Sequence, residues 1–250
     1  MAWSALYAAA CQAASCRVRH APMFKDATIV FDLDGTLVDT APDLTNALND
    51  VLVRRGHIPV EAETIRACVG HGARIMIEEA LRRTGARDDV DRMLAEFLVH
   101  YEANIANDSR PFPGAVAALE ALAGEGATLA VCTNKREHLS RKLLEELDLA
   151  RYFAGLAGRD TFPVSKPDPG HLTGVIALAG GDPSRAVMVG DSETDLATAK
   201  AAGVPAILVS FGYAASPLGG IAPEAVIDHF DELPARAGAL LNGLPRRARS

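Results

Sequence analysis

The stretch IVFDLDGTLVDT, from Ile29 to Thr40, constrains the fold of this chain more than any other part of its sequence. It begins with three apolar residues, which is typical of a strand buried on both faces of a parallel sheet. Asp32 and Asp34 follow at once, and Gly35 comes next. A buried carboxylate is costly unless its charge is paired, so the two aspartates indicate a functional site at the end of this strand.

Short apolar segments of this kind recur, with helical patterns between them. Four strands are expected, each closed by polar or glycine residues: Thr28–Phe31, Thr128–Cys132, Ala186–Val189 and Ala206–Val209. Four helices are expected around them: Ala115–Ala123, Glu137–Leu147, Gly170–Ala179 and Thr194–Ala201. The alternation predicts an α/β fold with a doubly wound, mostly parallel sheet, a Rossmann-like core.

Residues 41–110 break this alternation because they show helical patterns throughout. The expected helices are Pro42–Arg55, Glu61–Cys68, Ala73–Thr84 and Asp88–Asn107. Thr40 and Asp43 have the spacing of a capping box at the start of the first helix. We therefore predict a helical insert between the first strand and the rest of the sheet.

The first 22 residues contain no Asp or Glu and are rich in alanine. A signal peptide carries its positive charge before the apolar stretch, whereas Arg17 and Arg19 come after it. We interpret residues 1–22 as a dispensable extension, with Met23 as a natural start, and a targeting role is the alternative.

Composition narrows the classes of function. The 25 Lys and Arg against 32 Asp and Glu give a net charge of −7, so no global field attracts nucleic acid or an anionic membrane. No apolar run is long enough to span a bilayer. The 4 cysteines are widely spaced, which is unlike a disulfide framework and favours a reducing compartment. We expect a cytoplasmic protein, a monomer or homodimer, that binds a small molecule.

Polar residues follow the expected strands at their carboxyl ends, where open α/β sheets bind ligands. Seven of them converge at this edge of the predicted sheet: Asp32, Asp34, Thr133, Asn134, Lys166, Asp191 and Asp195. Carboxylates around one point repel each other unless a cation lies among them. All candidate ligands are oxygens, which favours a hard cation such as Mg²⁺, and the remaining groups would bind an anion. The cluster therefore indicates phosphoryl transfer.

Four short motifs, in this order, resemble those of the haloacid dehalogenase superfamily. They are DLDGT from Asp32, TNK from Thr133, the lysine of SKPDP at Lys166, and GDSETD around Asp191. The helical insert resembles the α-helical cap of that superfamily. The resemblance covers about residues 23–235. It implies a catalytic core of residues 23–40 and 111–250, with a cap over residues 41–110.

The resemblance also implies a role for each aspartate of DLDGT. Asp32 would attack phosphorus and form an aspartyl-phosphate. Asp34 would protonate the leaving group and then activate water as a base. One carboxylate must be ionised while the other carries a proton, so the two need different environments.

The remaining site residues would bind the cation and the phosphate. Asp32 and Asp191 would be side-chain ligands of Mg²⁺, with the backbone carbonyl of Asp34 facing the metal and Asp195 in or next to the site. The other three residues would bind the anion in this interpretation. Thr133 and Asn134 would hold phosphate oxygens, and Lys166 would neutralise charge on Asp32 and on the phosphoryl group.

The segment CVGHGARIMIEEAL, Cys68–Leu81, bears on the substrate. Gly70 and Gly72 allow the backbone to approach a ligand closely, and Arg74 begins a helix. The segment resembles the cap loop of bacterial phosphoglycolate phosphatases, as do HYEANI, RPFPG and SFGY further on. This implies hydrolysis of 2-phosphoglycolate, with its carboxylate on Arg74 or on loop amides near Gly72. His71 is where we expect the loop to vary.

The motifs leave other reactions open. Dehalogenases that resemble this family lack the second aspartate, so Asp34 argues against release of a halide. A phosphatase of another small phosphoester, such as a sugar phosphate or pyrophosphate, would keep it, and so would a phosphomutase like β-phosphoglucomutase. A scaffold without activity would be marked by loss of Asp32 or Asp34, and both are present.

Overall fold

The computed structural model describes residues 22–66, 68–70, 72–213 and 220–244. The predicted extension therefore lies outside the described residues except for Pro22, and so does His71. Within those ranges the strands are β1 (Thr28–Phe31), β2 (Val38–Asp39), β3 (Arg110–Pro111), β4 (Thr128–Cys132), β5 (Gly155–Ala157), β6 (Ala186–Gly190), β7 (Ala206–Val209) and β8 (Ala225–Ile227).

The α-helices of the same ranges are α1 (Ala41–Arg54), α2 (Ala62–Arg66), α3 (Ala73–Thr84), α4 (Val90–Ala103), α5 (Ala115–Gly124), α6 (Glu137–Glu146), α7 (Pro169–Leu178), α8 (Glu193–Ala202) and α9 (Leu233–Gly243). Among the helices described, none has both the length and the apolar character needed to cross a bilayer.

Six strands form one parallel sheet in the order β5-β4-β1-β6-β7-β8. β1 is central, and Thr28 pairs with Thr128 of β4 on one side and with Ala186 of β6 on the other. The ends of these three strands therefore adjoin. The predicted α/β class and parallel sheet are confirmed. β5 and β8 were not predicted, because strands of three residues show no periodicity.

Both faces of the sheet are buried. Ile29 and Phe31 of β1 belong to one hydrophobic cluster, and Val30 between them belongs to a second cluster on the other face. β4, β6 and β7 alternate in the same way. Helices therefore have to cover each face, and this is why these strands are apolar without interruption.

The chain leaves the sheet after β1 and runs through four helices before it returns. β2 and β3 pair antiparallel, with Val38 opposite Pro111 and Asp39 opposite Arg110, so the outgoing and returning connections lie side by side. α1 packs on α4, and α3 packs on α4. The division of the chain into a core and a cap stays a prediction.

The predicted capping box at the start of α1 is wrong. Thr40 is the N-cap residue, but its side chain makes no capping hydrogen bond. Asp43 instead accepts hydrogen bonds from the backbone N–H groups of Asp108 and Ser109, and from the Ser109 hydroxyl at 2.7 Å. Asp43 and Ser109 lie 66 residues apart, so the fold decides the partner of this buried carboxylate.

Candidate active site

An acidic cluster of Asp32, Asp191 and Asp195 lies where β1 and β6 end. One oxygen from each carboxylate lies within 4.8 Å of the others, and all three residues are buried. Burial disfavours the charged form and raises the pKa of Asp32 and that of Asp191, and the charge of Asp195 raises both further. The three carboxylates therefore repel one another unless positive charge lies among them.

Lys166 supplies part of that charge. Its Nζ lies 2.9 Å from Oδ1 of Asp32 and 2.6 Å from Oδ1 of Asp195. Burial disfavours the ammonium, but attraction to Asp195 and Asp32 outweighs burial and raises the pKa of Lys166. The backbone N–H of Lys166 donates to Nδ1 of His171, which fixes the loop that carries it. One ammonium does not balance three carboxylates.

The acidic cluster fits a divalent cation. The buried Oδ1 of Asp32 has the ammonium of Lys166 as its one polar partner in the part of the chain that the structure describes. A carboxylate oxygen has two lone pairs, so one remains for a cation. The donors are all carboxylate oxygens, which suit a hard cation. The predicted metal ligands Asp32 and Asp191 lie together here, and Asp195 lies as close as they do.

Donors from two loops hold Asp191. The backbone N–H of Tyr213 donates to its Oδ2 at 2.7 Å, and the hydroxyl of Thr36 donates to its Oδ1 at 3.3 Å. Gly35 has a φ of +82°, and a Cβ there would lie 2.6 Å from Oδ2 of Asp191. Both the backbone conformation and the space require glycine in DLDGT. Sequence reasoning missed the role of Tyr213, although the SFGY motif that contains it was the signal.

A capping box at the start of α8 fixes Asp195. Oδ2 of Asp195 accepts hydrogen bonds from the hydroxyl and the backbone N–H of Ser192, and its own N–H donates back to that hydroxyl. Asp195 is fully buried, so it is not a charge on the helix surface. Ser192 is occupied as the cap of the helix.

Asp34 pairs with a second lysine outside the acidic cluster. Nζ of Lys135 donates to the two carboxylate oxygens of Asp34 at 3.0 and 3.2 Å, and to the hydroxyl of Tyr101 at 2.8 Å. Burial disfavours the ammonium of Lys135, but its attraction to Asp34 and Tyr101 and its hydrogen bonds to both together outweigh burial and raise the pKa of the lysine. Lys135 is the last residue of the TNK motif and Tyr101 lies in the HYEANI motif, but the sequence did not indicate that the two are partners.

Thr133 and Asn134 follow β4, beside β1. Thr133 is buried, and its hydroxyl oxygen accepts from the backbone N–H of Lys135 at 3.2 Å, which leaves its hydrogen for an acceptor such as a phosphate oxygen. The side-chain NH₂ of Asn134 donates to the carbonyl of Lys166 at 3.1 Å. The contact of Asn134 links the loop after β4 to the loop before α7.

A cavity of about 500 Å³ joins this edge of the sheet to α3 and α4. Asp32, Asp34 and Thr133 line it on the sheet side, and apolar residues such as Met76 and Phe97 line it on the helix side. A small polar molecule that binds at the strand ends would therefore be covered by the helices.

The predicted cap residues Gly72 and Arg74 both line this cavity. The guanidinium of Arg74 pairs with Asp91 of α4 and lies 3.8 Å from Glu78. The sequence did not indicate Arg159. Its guanidinium lies 3.3 Å from the position that a Cβ on Gly72 would occupy. No local pattern marks Arg159, because its position under the loop depends on how the helices lie on the sheet.

The fold and the site define a class of hydrolase, in which an aspartate at the end of the central strand belongs to an acidic cluster that fits a divalent cation and lies beside a buried lysine. The chain belongs to the haloacid dehalogenase-like hydrolase family, whose sequence model matches residues 29–209. The resemblance drawn from the four motifs is confirmed, and the chain is an enzyme.

Three similar proteins extend this comparison. The chain is 52% identical over 208 residues to a phosphoglycolate phosphatase of Mesorhizobium japonicum, covering 82% of this chain and 92% of that protein. It is 48% identical over 207 residues to a phosphoglycolate phosphatase of Agrobacterium fabrum, covering 82% and 89%. The crystal structure of a predicted phosphoglycolate phosphatase from Haemophilus somnus has a TM-score of 0.78 at 28% identity, covering 85% and 97%.

Proposed function

We propose that this enzyme is a Mg²⁺-dependent phosphatase that hydrolyses 2-phosphoglycolate to glycolate and inorganic phosphate. The observation that carries the proposal is that the two aspartates of DLDGT pair with different lysines, Asp32 with Lys166 and Asp34 with Lys135. The two carboxylates therefore have separate environments, as a nucleophile and a general acid require. The names of the similar proteins support the choice of substrate.

In the first step an oxygen of Asp32 attacks phosphorus, and the bond between phosphorus and the glycolate oxygen breaks. Asp34 gives its proton to that oxygen, so glycolate leaves with a neutral hydroxyl group. The phosphoryl group is now bound to Asp32, and Asp34 is a carboxylate. The hydroxyl of Thr133 and the ammonium of Lys166 bind the phosphoryl oxygens while charge develops on them.

In the second step Asp34 accepts a proton from water, and the water oxygen attacks phosphorus. The bond between phosphorus and Asp32 breaks, inorganic phosphate leaves, and Asp34 carries a proton for the next turnover. Covalent catalysis divides one very slow hydrolysis into two easier steps.

Mg²⁺ is the cation that this reaction favours, because its site must accept phosphate beside carboxylate ligands. The side chains of Asp32 and Asp191 and the backbone carbonyl of Asp34 would hold it, with Asp195 adjoining. When bound, Mg²⁺ offsets the charge of the carboxylates and of the phosphoryl oxygens.

The carboxylate of 2-phosphoglycolate needs cations or N–H donors on the far side of the cavity. Gly72 and Arg74 are the groups that the sequence indicated for this purpose. Arg159 is better placed than Arg74, because Arg74 already forms ion pairs while the guanidinium of Arg159 lies opposite Gly72. A guanidinium binds a carboxylate through two parallel hydrogen bonds.

We place this reaction in the cytoplasm, on a small molecule and not on nucleic acid, in a monomer or a homodimer. The net charge of −7 supports a partner other than nucleic acid. Cys68 and Cys132 are free and buried, as thiols are in a reducing compartment.

Phosphate release from a panel of small phosphoesters, with and without Mg²⁺, tests the proposal. We expect 2-phosphoglycolate to lead the panel by about tenfold or more in kcat/KM, which is about 1.4 kcal/mol of discrimination. A lead for a sugar phosphate or pyrophosphate would contradict the choice of substrate. Transfer of the phosphoryl group to a sugar, without release of free phosphate, would identify a mutase instead.

A further inference from the structure

Lys135 is fixed more firmly than a surface lysine at a loop would be. Its side chain is 5% exposed, and that of Asp34 is 11% exposed. The backbone of Lys135 is held on both sides. Its N–H donates to the hydroxyl of Thr133, and its carbonyl accepts from the backbone N–H of Arg159 at 2.9 Å. The end of β4 therefore sets where the side chain of Lys135 begins.

The contacts of the ammonium leave it little freedom. It donates to Oδ1 and Oδ2 of Asp34 and to the hydroxyl of Tyr101, and it lies 4.6 Å from the centre of that ring. Tyr101 is itself buried and stacks on Phe97 one helical turn earlier in α4. An ordered ring therefore holds the lysine from the helix side while Asp34 holds it from the sheet side.

The chemistry of an ammonium decides what it does to Asp34. An ammonium donates hydrogen bonds and accepts none, so Lys135 occupies lone pairs of the carboxyl group. When Asp34 carries a proton, that proton has to lie on the side of the carboxyl group that Lys135 leaves open. Asp34 and Lys135 both line the cavity, so a substrate bound there can approach the carboxyl group of Asp34 beside the ammonium.

We propose that Lys135 is the positioning residue of the general acid: it orients the carboxyl group of Asp34 toward the leaving-group oxygen, and Tyr101 of α4 keeps Lys135 in place. Lys166 contacts Asp32 and Asp195 instead. In the proposed mechanism it binds the phosphoryl oxygens. The inference rests on the proposed phosphatase function, since it concerns the proton that the leaving group receives.

The dependence on the leaving group tests this role. An alkyl or phenyl phosphate needs a proton on its departing oxygen, whereas 2,4-dinitrophenyl phosphate releases a stable anion without one. The ratio kcat/KM reports on the steps up to departure of the leaving group, so it isolates the acid step from the later attack of water. We compare this ratio for the parent, Lys135→Met and Asp34→Asn on phenyl, 4-nitrophenyl and 2,4-dinitrophenyl phosphate and on 2-phosphoglycolate.

We expect Lys135→Met to lose roughly 100-fold on phenyl phosphate and 2-phosphoglycolate, the lower end of what general acid catalysis contributes. On 2,4-dinitrophenyl phosphate it should lose less than about threefold, and Asp34→Asn should show the same pattern. A loss of equal size on all four esters would overturn the proposal, because it would mean that Lys135 holds the fold or the phosphoryl group. An effect confined to KM would also overturn it.

Two further variants keep the test decisive. Tyr101→Phe retains the buried ring and the charge of Lys135 but removes the hydroxyl, so it should reproduce the pattern with a smaller loss even where Lys135→Met fails to fold. A uniform loss in Tyr101→Phe would count against the inference. Lys200→Met, an exposed lysine in the last turn of α8, should match the parent on every ester.

Failure of the proposed function has a different appearance in these data. It would show as a parent that releases phosphate from none of the four esters, or as an Asp32→Asn variant that is as active as the parent. The inference about Lys135 fails instead when the parent is active and its variants ignore the leaving group.

Discussion

Two lysines lie at the same edge of the sheet, and they differ in the charge that they face. Lys166 is one ammonium among three carboxylates, and its region stays negative until a cation is added. Lys135 faces one carboxyl group, that of Asp34, and a tyrosine hydroxyl, so its region has no excess negative charge. In the proposed mechanism this difference separates the groups that bind the metal and the phosphoryl group from the groups that transfer the proton.

Removal of the nucleophile should have the largest effect. Asp32→Asn should lower kcat/KM by roughly 10⁴-fold or more with every ester, good and poor leaving groups alike, because no covalent intermediate forms. The control is Asp148→Asn, at a surface aspartate whose side chain is 84% exposed. Residual activity of Asp32→Asn within tenfold of the parent would remove the distinction between the two regions.

Removal of the metal should have the second-largest effect. We expect it to act through the acidic cluster around Lys166 and not on the pair of Lys135 and Asp34. Chelation should lower turnover by about 10³-fold, and added Mg²⁺ should restore it. Because a ligand of the folded state stabilises it, Mg²⁺ at 100 times its Kd should add about 2.7 kcal/mol to the free energy of unfolding, seen as a higher Tm. Asp191→Asn should lose most of that rise, and an equal rise in this variant would place the cation elsewhere.

Lys166→Met sharpens the comparison with Lys135. This variant should lose about 10²- to 10³-fold in kcat/KM, and the loss should be the same for every leaving group. The reason is that Lys166 binds the phosphoryl oxygens, which all the esters share. The measurement is the same series of aryl phosphates. A loss that grows as the leaving group becomes poorer would show that the two lysines do not divide the reaction.

The smallest effect concerns substrate choice. Arg159→Ala should raise KM for 2-phosphoglycolate about tenfold, the size expected for loss of one hydrogen-bonded charge contact, and should leave phenyl phosphate nearly unchanged. Arg74→Ala should raise it less, because the Arg74 guanidinium is already paired with Asp91. A larger effect in Arg74→Ala would restore the interpretation that the sequence favoured.

Local sequence and one rule of topology predict most of the metal and phosphate region. Asp32, Thr133 and Asp191 each follow a strand directly, and parallel strands bring their carboxyl ends to one edge. The backbone at those positions sets where the side chains begin. Residues next to a strand end therefore need no further information to be placed near one another.

Several contacts that the sequence did not predict depend on packing between distant segments. Lys135 has a long flexible side chain, and its partner Tyr101 lies 34 residues away on α4. Asp43 has the spacing of a cap but accepts hydrogen bonds from Ser109, because the return of the chain at β3 brings that residue to it. Arg159 likewise approaches Gly72 through the placement of the helices.

The most direct test of the two-step division is a rapid-quench reaction of Asp34→Asn with 2,4-dinitrophenyl phosphate. The first step needs no acid with this ester, but the second step has lost its base. The account predicts a burst of one dinitrophenolate per active site, followed by slow turnover, and a phosphoryl group that mass spectrometry of the quenched protein locates on Asp32. Steady release without a burst, or a phosphoryl group on another residue, would contradict it.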